Sequence, residues 1–203
     1  MPRLALLASV LSLLLVTGCD SGSSDLFGEF IADVTVDGVR VTDPDDDPDD
    51  DETPEDLTGE AVYTVVQTEN GPEFVLGLFV GDLFDSQYDD YQYVLFRLAG
   101  GVPSVGAYGV AEDPERTAAR ALYADVLDGD DPEEATGQIL NGTDGVLALS
   151  SVDPYSIVGT FNFDARGVDV QNAQRIVRGR MSGQFEAVYE QPSLVLNRGL
   201  DLR

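Results

Sequence analysis

Apolar and polar positions alternate with a period of two along much of this chain. In residues 156–165, Ile157, Gly159, Phe161 and Phe163 share one parity, and Thr160, Asn162 and Asp164 take the other. Residues 175–190 repeat the pattern, with Val177, Met181, Phe185, Ala187 and Tyr189 set against Arg178, Arg180, Ser182, Gln184 and Glu186. Successive side chains of a strand point to opposite faces, so this period predicts antiparallel strands with one face buried and one wetted. Residues 30–36 and 39–42 flank Asp37-Gly38, a pair that accepts the positive φ values of a type I′ turn, and they read as a β-hairpin. A second hairpin is predicted from residues 58–69 and 73–81 around Asn70-Gly71, with Pro72 shifting the turn from its simplest form.

Further strands are predicted at residues 91–98, 105–111 and 145–151. The one departure from the β pattern is residues 113–127, which read as a helix. Asp113 suits the cap and Pro114 the first helical position, and Ala118, Ala119, Leu122, Tyr123 and Val126 recur on one face before Asp128-Gly129. Many short strands and one helix predict an all-β fold, an antiparallel sandwich or barrel. The β domain spans 30–190, followed by a tail at 191–203. It is interrupted at 43–57 by a run of acids and prolines that has no apolar surface to bury and reads as a disordered loop.

The first residues follow a different logic. Arg3 supplies a positive charge, residues 4–16 are almost wholly apolar, and Val16-Thr17-Gly18 leads into Cys19. The apolar run is shorter than the roughly 20 residues that span a bilayer, as in an export signal. An aliphatic residue three before the cysteine, with two small residues between, resembles the lipobox of bacterial lipoproteins. That resemblance implies cleavage after Gly18, a diacylglyceryl thioether on Cys19, and a fatty acid such as palmitate on the new amino group. It implies a protein held in the cell envelope by its N-terminal lipid, with inner and outer membrane left open. Residues 19–29 form the anchor and polar tether. Acyl chains contribute about 0.8 kcal/mol per buried CH₂, so two or three hold a protein durably. Cys19 is the only cysteine, and no internal disulfide can form.

The DG turn at Asp37-Gly38, the segment 142–149, the Gly159-Thr160-Phe161-Asn162-Phe163 strand and the segment 178–185 resemble uncharacterised small bacterial lipoproteins, which carry a late GTFxF strand. The resemblance covers most of residues 28–190 and implies fold and location without lending an activity. The acidic insertion after Val41 and the predicted helix depart from it.

Charge removes several function classes. The chain has 38 Asp and Glu against 11 Arg, with no Lys and no His, and a formal charge of −27. Such a surface repels phosphate backbones, so nucleic acid is excluded as a partner. Two readings of the charge remain: a cation- or basic-partner-binding surface, or adaptation to high salt, where repulsion is screened to about 3 Å at 1 M. Acids scattered along the whole chain and the replacement of Lys by Arg favour salt. Without His there is neither a Ser-His-Asp triad nor a histidine metal site, and a lipidated Cys19 offers no thiolate. No phosphate-binding glycine loop occurs.

Carboxylate chemistry is left. Asp45, Asp47, Asp49 and Asp51 fall at positions 1, 3, 5 and 7 of a calcium-loop count, and Asp56 falls at position 12. Asp50 stands where that loop wants glycine, and Asp56 is shorter than the usual glutamate, so the competing reading is diffuse attraction of cations. Asp82, Asp85 and Asp89, and Asp128, Asp130 and Asp131, are weaker acidic groups. Tyr88, Tyr91 and Tyr93 beside Asp89 and Asp90 form the best aromatic–acid cluster for a glycan site. A barrel pocket for an apolar ligand has no motif in its favour. The sequence therefore predicts a non-enzymatic, lipid-anchored binding or structural module for an envelope protein or small ligand. A small carboxylate-dependent hydrolase of envelope glycans is the alternative.

Overall fold

A computed structural model of the chain describes residues 28–42, 56–80, 91–112, 119–127 and 136–192. They form ten strands: β1 (Gly28–Val36), β2 (Val39–Val41), β3 (Leu57–Thr68), β4 (Gly71–Val80), β5 (Tyr91–Ala99), β6 (Gly106–Ala111), β7 (Arg120–Leu127), β8 (Thr136–Val152), β9 (Ser156–Asp169) and β10 (Ile176–Tyr189). Around the wall the order is β1–β3–β4–β5–β7–β8–β9–β10, each antiparallel to the next. The sheet then closes, because β10 pairs with β1 from Glu29↔Glu186 to Val36↔Gly179. The all-β expectation is met as an eight-stranded barrel, with β2 and β6 as additional strands. Closure removes the exposed edges that would otherwise template aggregation.

The added strands fill half-length gaps. β1 pairs with β3 through residues 28–32 and with β2 through residues 34–36. Likewise β8 pairs with β7 through residues 136–141 and with β6 through residues 144–149. The ladder shifts register between Gly142 and Asp144 where the partner changes. Bulges of this kind bend a strand and let one ladder serve two neighbours.

Inward parity is apolar almost throughout. Phe30, Ala32, Val34, Tyr63, Phe74, Leu76, Leu78, Val94, Phe96, Leu140, Phe161, Phe163, Met181 and Phe185 belong to one buried cluster inside the wall. Phe96 lies at the centre, with ring centroids 5.4 Å from Phe161 and 5.5 Å from Phe163. Glycines on the inner face make room for these groups: a Cβ on Gly183 would lie 2.8 Å from the Phe161 ring, and one on Gly159 would lie 2.7 Å from Phe185. Eight strands enclose an interior just wide enough for side chains to fill, and here they fill its middle. The idea of a central pocket for an apolar ligand gains no support from this packing. A second apolar cluster, Val62, Val66, Val75, Phe79 and Leu95, lies on the outer face of β3, β4 and β5.

The predicted helix over 113–127 is wrong where it is described. Residues 120–127 are β7, and Ala119 bridges to Val110. No helix element, and none long and apolar enough to cross a membrane, occurs among the described residues. Between β5 and β8, β7 is apolar on both faces: Ala121 and Tyr123 point inward, while Ala124 and Val126 are buried on the other side. A strand buried on both faces loses its period-two signature, and its apolar residues then also fit a helical spacing.

The Asp37-Gly38 turn is as expected, with φ values of 48° and 81°, both positive as a type I′ turn requires. In the second hairpin Thr68 pairs with Gly71, so the turn residues are Glu69 and Asn70, and Pro72 stands opposite Gln67 in the strand. β3 begins at Leu57, within the span read as acidic loop, because Leu57 is 1% exposed and fills the core. Tyr189, expected on the buried face, is 52% exposed and packs edge-on against Tyr63 at 5.7 Å.

Candidate binding site at the acidic end of the barrel

The strand directions give the barrel two chemically different ends. At one, which we call the Asp37 end, β1, β4, β7 and β9 finish and β3, β5, β8 and β10 begin. The links 81–90 and 128–135 join strands there, and the link 43–55 runs from the end of β2, opposite Val34, to the start of β3, opposite Ala32. Together they carry 18 of the 38 Asp and Glu and none of the 11 Arg. The opposite, Asn70 end holds the Glu69-Asn70 turn and the Asp153–Tyr155 turn, and β1 enters on that side beside the last residues of β10.

The Asp37 end is braced by arginine. Arg175 reaches Asp37 and Asp169, both at 3.2 Å, and so ties the β1–β2 turn to the β9–β10 turn. Asp37 accepts the backbone N–H of Arg178 at 3.0 Å while donating its own N–H to the Arg178 carbonyl at 2.7 Å. The Arg178 N–H, aided by the Arg175 guanidinium, holds the Asp37 carboxyl below the usual carboxylate range. Asp169 accepts the N–H groups of Gln171 and Asn172 at 2.9 and 3.0 Å, which folds its own turn.

Inside this end the apolar lining gives way to a polar row. Gln92, Asp125 and Gln138 stand directly opposite one another across β5, β7 and β8. Tyr123 lies one inward position deeper on β7. Gln92 Nε2 donates to the Tyr123 hydroxyl at 2.9 Å, and Gln138 Nε2 donates to Asp125 at 3.2 Å. The Tyr123 hydroxyl also lies close enough to Asp125, two residues on along the same face of β7, for each group to shift the other's titration. Burial pushes the Asp125 carboxyl up, opposed by Gln138 and Tyr123. Burial also pushes the Tyr123 phenol far up, with Asp125 adding to the rise. Gln92 is 7% exposed, and its Oε1 has no partner.

Most residues singled out from sequence cannot be placed in this site. Gly18, Cys19, Asp45, Asp47, Asp49 and Asp51 lie outside the described residues, as do the acidic groups at 82–89 and 128–131 and the pair Asp89 and Asp90 with Tyr88. Asp56, the last member of the calcium count, is ion-paired with Arg40, which also approaches Asp33 at 3.5 Å. Among the described residues no three Asp, Glu, Cys or His gather around a common point. Tyr93 packs against Phe79 on the outer wall at 6.0 Å. The polar row was missed because Tyr123 and Asp125 had been placed on a helix. Gln92 gave a usable signal, as the one polar residue sharing parity with Val94, Phe96 and Leu98.

The chain matches no family model, no curated protein and no solved structure.

Proposed function

We propose that this protein is a lipid-anchored, non-enzymatic binding module of the cell envelope, and that it presents the acidic Asp37 end away from the membrane. One observation carries the reading: the chain enters β1 on the Asn70 side, whereas the acidic links 81–90 and 128–135 join strands at the other end and the link 43–55 leads into the start of β3. The nine residues of β1 run about 26 Å at roughly 3.3 Å per residue, and the tilt of a barrel strand leaves about 20 Å between tether and rim along the axis. A lipid on Cys19 and the tether that follows would therefore turn the Asp37 end of the barrel away from the membrane. The filled barrel interior favours capture at the rim over enclosure of an apolar ligand.

The hydrolase alternative has one observation in its favour, the raised carboxyl of Asp125 at the barrel mouth, since a general acid needs such a shift. Two measurements test the proposal. Mass spectrometry of the membrane-extracted protein should show a chain beginning at acylated Cys19, and Cys19→Ser should release it from the membrane. Incubation with purified envelope glycan should generate no new reducing ends. Release of reducing ends that Asp125→Asn abolishes would replace the binding reading with the hydrolase.

A further inference from the structure

The outer face of β3, β4 and β5 is buried, whereas outward side chains elsewhere on the barrel are not. Val62 and Val75 are 0% exposed and Leu95 is 2% exposed, although all three point away from the interior. Ile31, Ile139, Val146 and Val168 also point outward, and they are between 37% and 43% exposed. The buried face continues onto β7 through Ala124 and Val126. It also takes in Thr64, whose Oγ1 is buried without a partner. Strands lose solvent on both faces only where a second layer covers them. Every described strand belongs to the wall or pairs edge-on with it, so none lies across this face. The cover comes from elsewhere in the chain.

We infer that the C-terminal segment 193–203 folds back over this face and packs Val195, Leu196, Leu200 and Leu202 against it. The chain leaves the barrel at the margin of the patch. Val188 of β10 stands beside Val62 of β3 and packs into the same cluster, and the Glu190 N–H donates to the Tyr63 carbonyl at 2.9 Å. Pro192, where the described residues end, has helical backbone and suits a first helical position. Counted onward at 3.6 residues per turn, Val195, Leu196, Leu200 and Leu202 share one side. Ser193, Asn197, Arg198 and Asp201 take the other, where Leu194 is the one aliphatic residue. As a helix, residues 193–203 measure about 16 Å. The face measures about 14 Å from β3 across to β7, at roughly 4.8 Å per strand gap. Composition separates this segment from the internal links: 43–55, 81–90 and 128–135 carry 18 acids between them, whereas 193–203 carries one acid and five aliphatic residues. The other long aliphatic run, residues 4–16, leaves with the export signal, so the inference rests on that part of the binding-module reading.

The test uses introduced thiols in the full chain, extracted from the membrane and reconstituted into vesicles. With a lipid on the sulfur of Cys19, only those thiols react. Maleimide should label Leu196→Cys and Leu200→Cys about tenfold more slowly, or less, than Ser193→Cys and Asn197→Cys, because a packed side chain reacts only on local opening. Leu200→Cys is then combined with Val62→Cys, Val75→Cys or Leu95→Cys and oxidised, since a disulfide needs Cα atoms within about 7 Å. Intramolecular disulfides to these positions are expected, and none to Ile139→Cys or Val146→Cys elsewhere on the outer wall. Equal labelling on the two sides, disulfides no more frequent at the face than at the controls, or linked dimers in their place overturns the inference. The labelling comparison leaves the barrel untouched, so it decides even where a face variant fails to fold. Intact mass reports whether residues 1–18 are gone. Face disulfides in an unprocessed chain would refute the anchor and leave this inference standing, and their absence from a processed chain would do the reverse.

Discussion

Tyr123→Phe removes one oxygen and nothing else, so it isolates what the polar row contributes to stability. That oxygen accepts from Gln92 Nε2 at 2.9 Å in a fully buried position. Gln92 Oε1 already lacks a partner. Phenylalanine would therefore leave the whole buried amide unsatisfied. Leaving such a group unpaired costs about 1–3 kcal/mol, and we expect a loss of about 2 kcal/mol. Gln92→Leu alone should cost about 1 kcal/mol or less, because it removes the orphan acceptor together with the bond and adds apolar area. The double variant should cost little more than Gln92→Leu, which gives a coupling energy of about 1–2 kcal/mol. Equilibrium urea unfolding of the three variants and the parent, followed by far-ultraviolet circular dichroism at constant NaCl, measures each step. A neutral Tyr123→Phe, or strictly additive variants, would refute the proposed bonding of the row.

Further outcomes follow from the same structure. Phe96→Ala, at the centre of the ring cluster and fully buried, should lose about 3–5 kcal/mol in urea unfolding. Asp125, raised by burial, should oppose folding most at pH above its folded pKa, and that penalty should vanish as pH falls to the unfolded value of 3.8. Asp125→Asn is accordingly expected to raise the melting temperature at neutral pH and to flatten its rise toward acid. Asp37 has the opposite sign: its lowered carboxyl stabilises the fold above pH 3.8, and the benefit disappears as pH falls through the folded pKa. The difference in melting temperature between the parent and Asp37→Asn should shrink to zero in strong acid. With a net charge of −27, the domain should also be more stable in about 2 M NaCl than in about 0.1 M, and equal stability would count against salt adaptation.

The parts of this fold legible in the sequence are those with a local signal. Parity in residues 156–165 and 175–187 gave both long strands and their buried faces, because one side of each meets solvent. Asp37-Gly38 gave its turn because few residue pairs accept two positive φ values. Barrel closure left no such trace: β1 and β10 pair across about 150 residues of chain, and nothing in either strand names its partner. β7 was hidden by burial on both faces. The candidate site was hidden for a related reason. Gln92, Asp125 and Gln138 come from three strands, and only the registers that place them opposite one another make them a row. The dense acids drew attention to Asp45 through Asp51, whereas the described chemistry lies on three residues with one charge between them.

The central claim, that the anchor and the acidic rim lie at opposite ends, is tested most directly by energy transfer to the membrane. A donor dye is placed on Asn70→Cys or on Ala173→Cys, an exposed position of the β9–β10 turn, in the membrane-extracted protein reconstituted into vesicles carrying a headgroup acceptor. With a lipid on the sulfur of Cys19, the dye reacts only at the introduced thiol. The account predicts strong transfer from position 70 and much weaker transfer from position 173. Equal transfer, or stronger transfer from position 173, would contradict it.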